Sequence, residues 1–199
     1  MSHIYVMIYT MPLWLTVALL AAGGCVWYVL VSWAYKTYGN KWLWKIFCAA
    51  AFLAWGAIIL YYTVFSRSGG KLEVHWMPLY QLGSLLKDGP QEIIRTAWMN
   101  VLLFVPGGLF LCELLPQKWK HWQCVMITLF LLTALSIGIE ALQYRYTLGC
   151  VETDDVIFNM LGAGIGTLIC CVSARMAAKD EGQLFKSVRD CAGMFLKHP

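Results

Sequence analysis

Charge is what this sequence has least of. Only 13% of its 199 residues are Asp, Glu, Lys or Arg, against 60% apolar, whereas a water-soluble domain carries roughly 25% charge. Mean hydropathy is +0.62. The missing charge excludes a water-soluble globular domain and leaves lipid as the solvent. The net excess of base, +4, is small and scattered. No face or arm gathers Lys and Arg, which excludes nucleic acid as a partner. No CxxC pair and no adjacent Cys/His cluster occurs among the eight cysteines, so neither a disulfide framework nor a structural zinc site is indicated along the chain. Six of them, Cys25, Cys48, Cys112, Cys124, Cys170 and Cys171, lie in apolar stretches and read as small core residues. Cys150 falls in an expected external loop and Cys191 in an expected internal tail. No Lys or Arg precedes the first apolar run, which continues past Ala22-Gly23-Gly24-Cys25 through Val31. The N-terminal segment is therefore expected to be an uncleaved span rather than a cleavage signal.

The apolar residues that replace the missing charge are grouped. A helix needs about 20 of them to cross a hydrocarbon core roughly 30 Å thick, and five stretches qualify: Met11 to Tyr35, Ile46 to Ser66, Ala97 to Leu115, Gln123 to Tyr144, and Val156 to Ala174. The expected fold class is an all-α, multi-pass transmembrane helix bundle of about five spans, occupying 1–176, with a cytoplasmic amphipathic tail at 177–199. The connecting segments alternate sides, so their basic residues report orientation. Lys36, Lys41, Lys45, Lys118, Lys120, Arg175, Lys179, Lys186, Arg189 and Lys197 fall on one side, against Arg67, Lys71, Lys87, Arg95 and Arg145 on the other. The richer side is cytoplasmic by the positive-inside rule, placing the N-terminus outside and the C-terminus inside. The outer segment 67–96 mixes charge with His75, Trp76, Met77, Pro78, Leu79 and Tyr80 and is expected to lie along the outer interface. His75 reads there as an isolated structural or lipid-contacting histidine.

Ionisable and amide side chains inside spans are costly and usually paired or functional. In span three Asn100 precedes Pro106-Gly107-Gly108. In span four Ser136, Glu140 and Gln143 recur at i+4 and i+3 on an otherwise Leu-rich helix. In span five Asp155, Asn159, Gly162 and Gly166 recur at i+4, i+3 and i+4, the last two as a GxxxG pair suited to close helix contact. The expected orientation brings all three stripes to one depth near the outer surface. A shallow polar pocket results, its ligand-binding candidates being Arg67, Asn100, Glu140, Gln143, Arg145, Asp155 and Asn159. Glu140, Asp154 and Asp155 are the candidates for catalysis or for holding a divalent cation, since paired carboxylates can ligate Mg²⁺ or divide acid and base roles. The plainer reading is that these groups only join helices through buried hydrogen bonds, and that Asp155 caps span five.

These residues also resemble the VanZ-like family of membrane proteins associated with teicoplanin resistance. The resemblance covers about 61–166 and rests on Thr63-Val64-Phe65-Ser66-Arg67, the Pro78-Leu79 step, Asn100 through Gly108, Ile139-Glu140-Ala141-Leu142-Gln143, and Asp154 through Gly162. The chain departs from the family pattern at Leu148-Gly149-Cys150-Val151-Glu152, where the family commonly has an Arg and a further Asp. Glu152 stands in for the Asp and the Arg is missing, unless Arg145 supplies it. The resemblance implies a bacterial plasma-membrane protein that contributes to tolerance of lipid-tailed glycopeptides. Three functions are consistent with it. The first is binding or shielding of membrane lipid, a lipid-linked wall precursor or a lipoglycopeptide. The second is an enzyme acting on a lipid-linked substrate, disfavoured by the lack of a nucleophile motif. The third is a transporter with Glu140 as proton carrier, which with five spans and no evident inverted repeat would require a homo-oligomer.

Overall fold

The structure, a computed structural model, describes residues 22–23, 25–33, 42–67, 72–78, 91–116 and 119–195. Its helices are α1 (25–33), α2 (Trp42–Leu60, extended by a π-helical turn at Tyr61–Phe65), α3 (Gln91–Leu114), α4 (His121–Arg145) and α5 (Thr153–Phe195). Two three-residue strands, β1 (Glu73–His75) and β2 (Cys150–Glu152), pair in parallel. Among the described residues four stretches are long and apolar enough to cross a membrane: Trp42–Phe65, Ala97–Leu114, His121–Arg145 and Thr153–Met176. The protein is an all-α helical membrane protein. Most of the first expected span, much of the segment 67–96 and the side chains of the tail lie outside the described residues.

Two helices run further than hydropathy alone places them. α3 starts at Gln91, six residues before the apolar stretch, because Glu92 and Arg95 are poor lipid contacts but good helix formers. α5 continues without a break to Phe195, since Ala177-Ala178 and the charged residues after them offer no stop to a helix leaving the apolar layer.

The core is centred on α3 and α5, the pair in most extensive contact. Glycines allow it. A Cβ on Gly162 would meet the Val101 carbonyl, one on Gly166 the Val105 carbonyl, and one on Gly108 the Ala163 carbonyl. The backbones thus touch directly, the close approach for which small-xxx-small spacing is suited. Pro106, inside α3, supplies no N–H to the turn before it and crowds the carbonyls there. The Trp55 indole of α2 donates to one of them, Leu103 O, at 2.8 Å. Gly107 leaves room for that ring, because a Cβ there would strike it. Trp55, Ile59, Phe104, Leu132, Ile139 and Ala163 form the central cluster. Outward-facing Leu53, Phe130, Ile137 and Leu168 are exposed, as a bundle surrounded by lipid requires.

α4 ends in a Schellman motif, with Leu148 N–H bonded to Gln143 O at 2.9 Å and Thr147 N–H to Tyr144 O at 3.4 Å. Thr147 occupies the left-handed position at φ 52°, and Gly149 follows at φ 115°. The reversal is tight enough to deliver β2 directly into the N-terminus of α5, over the end of α4.

Candidate functional site

The polar stripes of three helices meet. Asn100 of α3 donates from Nδ2 to Asp155 Oδ1 of α5 at 2.6 Å. One turn deeper, Asn159 of α5 donates from Nδ2 to Ser136 Oγ of α4 at 2.8 Å. Both of these α5 side chains lie on the face that carries Gly162 and Gly166, so the glycine contact that seats α5 on α3 also aims its polar groups inward. Gln143 of α4 donates from Nε2 to Thr63 O at 3.0 Å. That carbonyl is presented by the π-helical turn of α2, a geometry that recurs at functional sites. Asn159 Oδ1 and Gln143 Oε1 are buried acceptors without a hydrogen-bond partner among the described residues.

Glu140 is 8% exposed and its Oε2 accepts the Glu152 backbone N–H at 3.2 Å, joining α4 to β2. Arg67 lies within electrostatic reach of both Glu140 and Asp155. Its guanidinium stands 3.9 Å from the position a Cβ would take on Gly149. Arg145 lies instead over the Tyr146 ring, 6.0 Å from its centroid. Asp154 is 2% exposed. Glu140, Asp154 and Asp155 do not gather as one set of metal ligands. Asp154 and Asp155 are consecutive on a helix and so point about 100° apart, and Asp155 is held by Asn100.

Next to these groups an open groove of about 520 Å³ is lined by Trp76, Ile137, Glu140, Ala141, Tyr144, Val151, Glu152, Thr153 and Val156. Its walls along α4, β2 and the start of α5 are almost wholly apolar, with Glu140, Glu152 and Thr153 among the residues that line it. Trp76 forms the far wall, its ring centroid 6.5 Å from that of Tyr144. The strand ladder holds it there, helped by Thr153 Oγ1, which donates to the Trp76 carbonyl at 3.3 Å.

Two groupings escape the sequence reading. On the ladder, His75 Nδ1 lies 3.4 Å from Glu152 Oε1 and 3.4 Å from Cys150 Sγ, and the thiol donates to Glu152 Oε1 at 3.1 Å. His75 is thus not isolated. The usable signal is a pair of tripeptides of the same form, Glu73-Val74-His75 and Cys150-Val151-Glu152, with polar residues flanking Val. At the other end of α3, Glu113 is 5% exposed, accepting the Trp44 indole N–H at 3.1 Å and the Cys170 thiol at 3.5 Å. A carboxylate inside span three was the signal for this one.

The family model described as VanZ/LLP1 matches residues 42–174, about two thirds of the chain. No curated protein and no solved structure matches.

Proposed function

The chain belongs to the VanZ/LLP1 family, and from this premise and the groove we propose that it is a bacterial plasma-membrane protein that binds a lipid-linked ligand at the outer face. The ligand is a wall precursor, or the lipid tail of a glycopeptide such as teicoplanin, and its binding contributes to tolerance of that antibiotic class. The observation that carries this reading is the groove's apolar lining beside a buried carboxylate. An apolar trough suits an acyl or isoprenoid chain, while buried Glu140 in its lining, with Arg67 within electrostatic reach of it, suits a polar head carrying phosphate or carboxylate. Ala141 is an exposed groove residue on α4, so Ala141→Trp fills the trough without entering the core. The variant should reach the membrane at normal levels and lose protection against a lipid-tailed glycopeptide. Undiminished protection would remove the groove from the function.

The outward orientation of the site is supported by the asymmetry of Lys and Arg between the two sets of connecting segments. Native Cys150 reports it poorly, because burial and the neighbouring Glu152 push its thiol up to about 12, leaving little thiolate at neutral pH. Exposed Tyr146 is the better position. In intact cells a membrane-impermeant maleimide should label Tyr146→Cys, and should reach Cys191 only after permeabilisation. Equal labelling of both before permeabilisation would contradict the proposed topology.

A further inference from the structure

Strand pairing places four ligand-type side chains on one face. In the β1–β2 register Glu73 stands opposite Cys150 and His75 opposite Glu152, with Val74 opposite Val151 between them. Side chains alternate along a strand, so Glu73, His75, Cys150 and Glu152 share one face of the ladder. The two valines occupy the other, where Val151 is 5% exposed and lines the groove. Packing accounts for the valine face. It gives no reason for two carboxylates, an imidazole and a thiol to converge on the opposite face, outside the apolar span.

From this arrangement we propose that Glu73, His75, Cys150 and Glu152 form a binding site for a zinc ion. The ligand atoms of Glu73, His75 and Cys150 all lie within 4.8 Å of one another. Donors held at about 2.0 to 2.3 Å from a tetrahedral zinc stand roughly 3.3 to 3.6 Å apart. His75 Nδ1 is 3.4 Å from Cys150 Sγ and 3.4 Å from Glu152 Oε1, and those two are 3.1 Å apart. Three corners of the tetrahedron are thus nearly in place, and exposed Glu73 has the side-chain freedom to complete it.

Donor chemistry selects the ion. Mg²⁺ and Ca²⁺ take oxygen ligands, whereas a thiolate, an imidazole and carboxylates together suit zinc. On binding, the Cys150 proton leaves to solvent and the metal takes its place between sulfur and carboxylate. The thiolate and two carboxylates then carry three negative charges against two positive, so the ion relieves a repulsion that the bare cluster contains.

The ion clips β1 to β2 and so braces the groove wall formed by Trp76, Val151, Glu152 and Thr153. The assignment does not depend on what the groove holds. The full-length protein in nanodiscs is equilibrated with zinc chloride, desalted and assayed for metal by mass spectrometry; in parallel, cobalt chloride is added and the absorption spectrum recorded. About one zinc per chain and a thiolate-to-cobalt charge-transfer band are expected of the wild type. Loss of an outer-shell partner alone costs about 10- to 100-fold in metal affinity, so Cys150→Ser and His75→Ala should each retain at least about tenfold less zinc. Cys150→Ser should also lose the band, while exposed His121→Ala keeps both signals. A wild type without zinc or without the band overturns the proposal however the variants fold. So does a Cys150→Ser protein that keeps the full band.

Discussion

Glu140→Gln is expected to reach the membrane at wild-type levels and to lose the protection against a lipid-tailed glycopeptide that the wild type confers. The substitution keeps the side chain's shape and its acceptor for the Glu152 N–H, so the tie between α4 and β2 persists. It removes the carboxylate that lies within electrostatic reach of Arg67. The loss should leave the guanidinium, and a polar head bound beside it, less firmly held. Leu142→Ala is the companion variant. Leu142 is two residues away, 39% exposed and on the lipid side of α4, so its trimming should leave protection intact. The measurement is the minimum inhibitory concentration in cells matched for the amount of membrane-inserted protein. A normally inserted Glu140→Gln that protects as well as wild type would make Glu140 a structural tie, and both the enzyme and the proton-carrier readings would lose their main residue.

The parts of this molecule that could be read from its sequence are those whose signal is local. An apolar helix in lipid is one uninterrupted run, so the last four spans stand out. Asn100, Glu140, Asp155 and Asn159 stand out within them because each is costly where it lies. Their meeting was also anticipated, since the i+3 and i+4 spacing of Asp155, Asn159 and Gly162 puts polar groups and the helix contact on one face. The ends of the helices were less legible. Hydropathy measures compatibility with lipid rather than with a helix, so it neither extends α3 back to Gln91 nor joins the amphipathic tail to span five as one helix.

What was not legible depends on pairing between distant residues. His75 and Cys150 come together through a parallel ladder of three residues a side, too short for any periodicity to announce. Trp55 meets Leu103 O across 48 residues, and nothing near Trp55 signals this. Arg67, distant in sequence, comes to stand beside Gly149, while Arg145 lies over Tyr146.

Gly162→Ala is expected to destabilise the bundle although it adds a single methyl group, whereas Gly164→Ala, two residues on, is expected to be neutral or slightly stabilising. In an exposed helix interior Gly→Ala is favourable by about 0.8 to 1.0 kcal/mol, and both positions share that gain. Their surroundings differ. A Cβ on Gly164 meets only Leu129 Cδ2 at 3.7 Å, an ordinary contact. On Gly162 it would overlap the Val101 carbonyl oxygen, which belongs to helix backbone and cannot rotate aside. The helices must separate locally, at an overpacking cost of about 1 to 3 kcal/mol, and separation also stretches the Asn100–Asp155 hydrogen bond two turns up α5. Because α3 and α5 carry the largest helix contact, the net loss should be about 1 to 2 kcal/mol, a factor of roughly 5 to 30 in the folded population. The midpoint for loss of helicity in a detergent–SDS titration should therefore fall for Gly162→Ala and stay level or rise for Gly164→Ala. Equal midpoints would mean that α3 and α5 are not in backbone contact at Gly162, and the seat that positions Asp155 and Asn159 would need another origin.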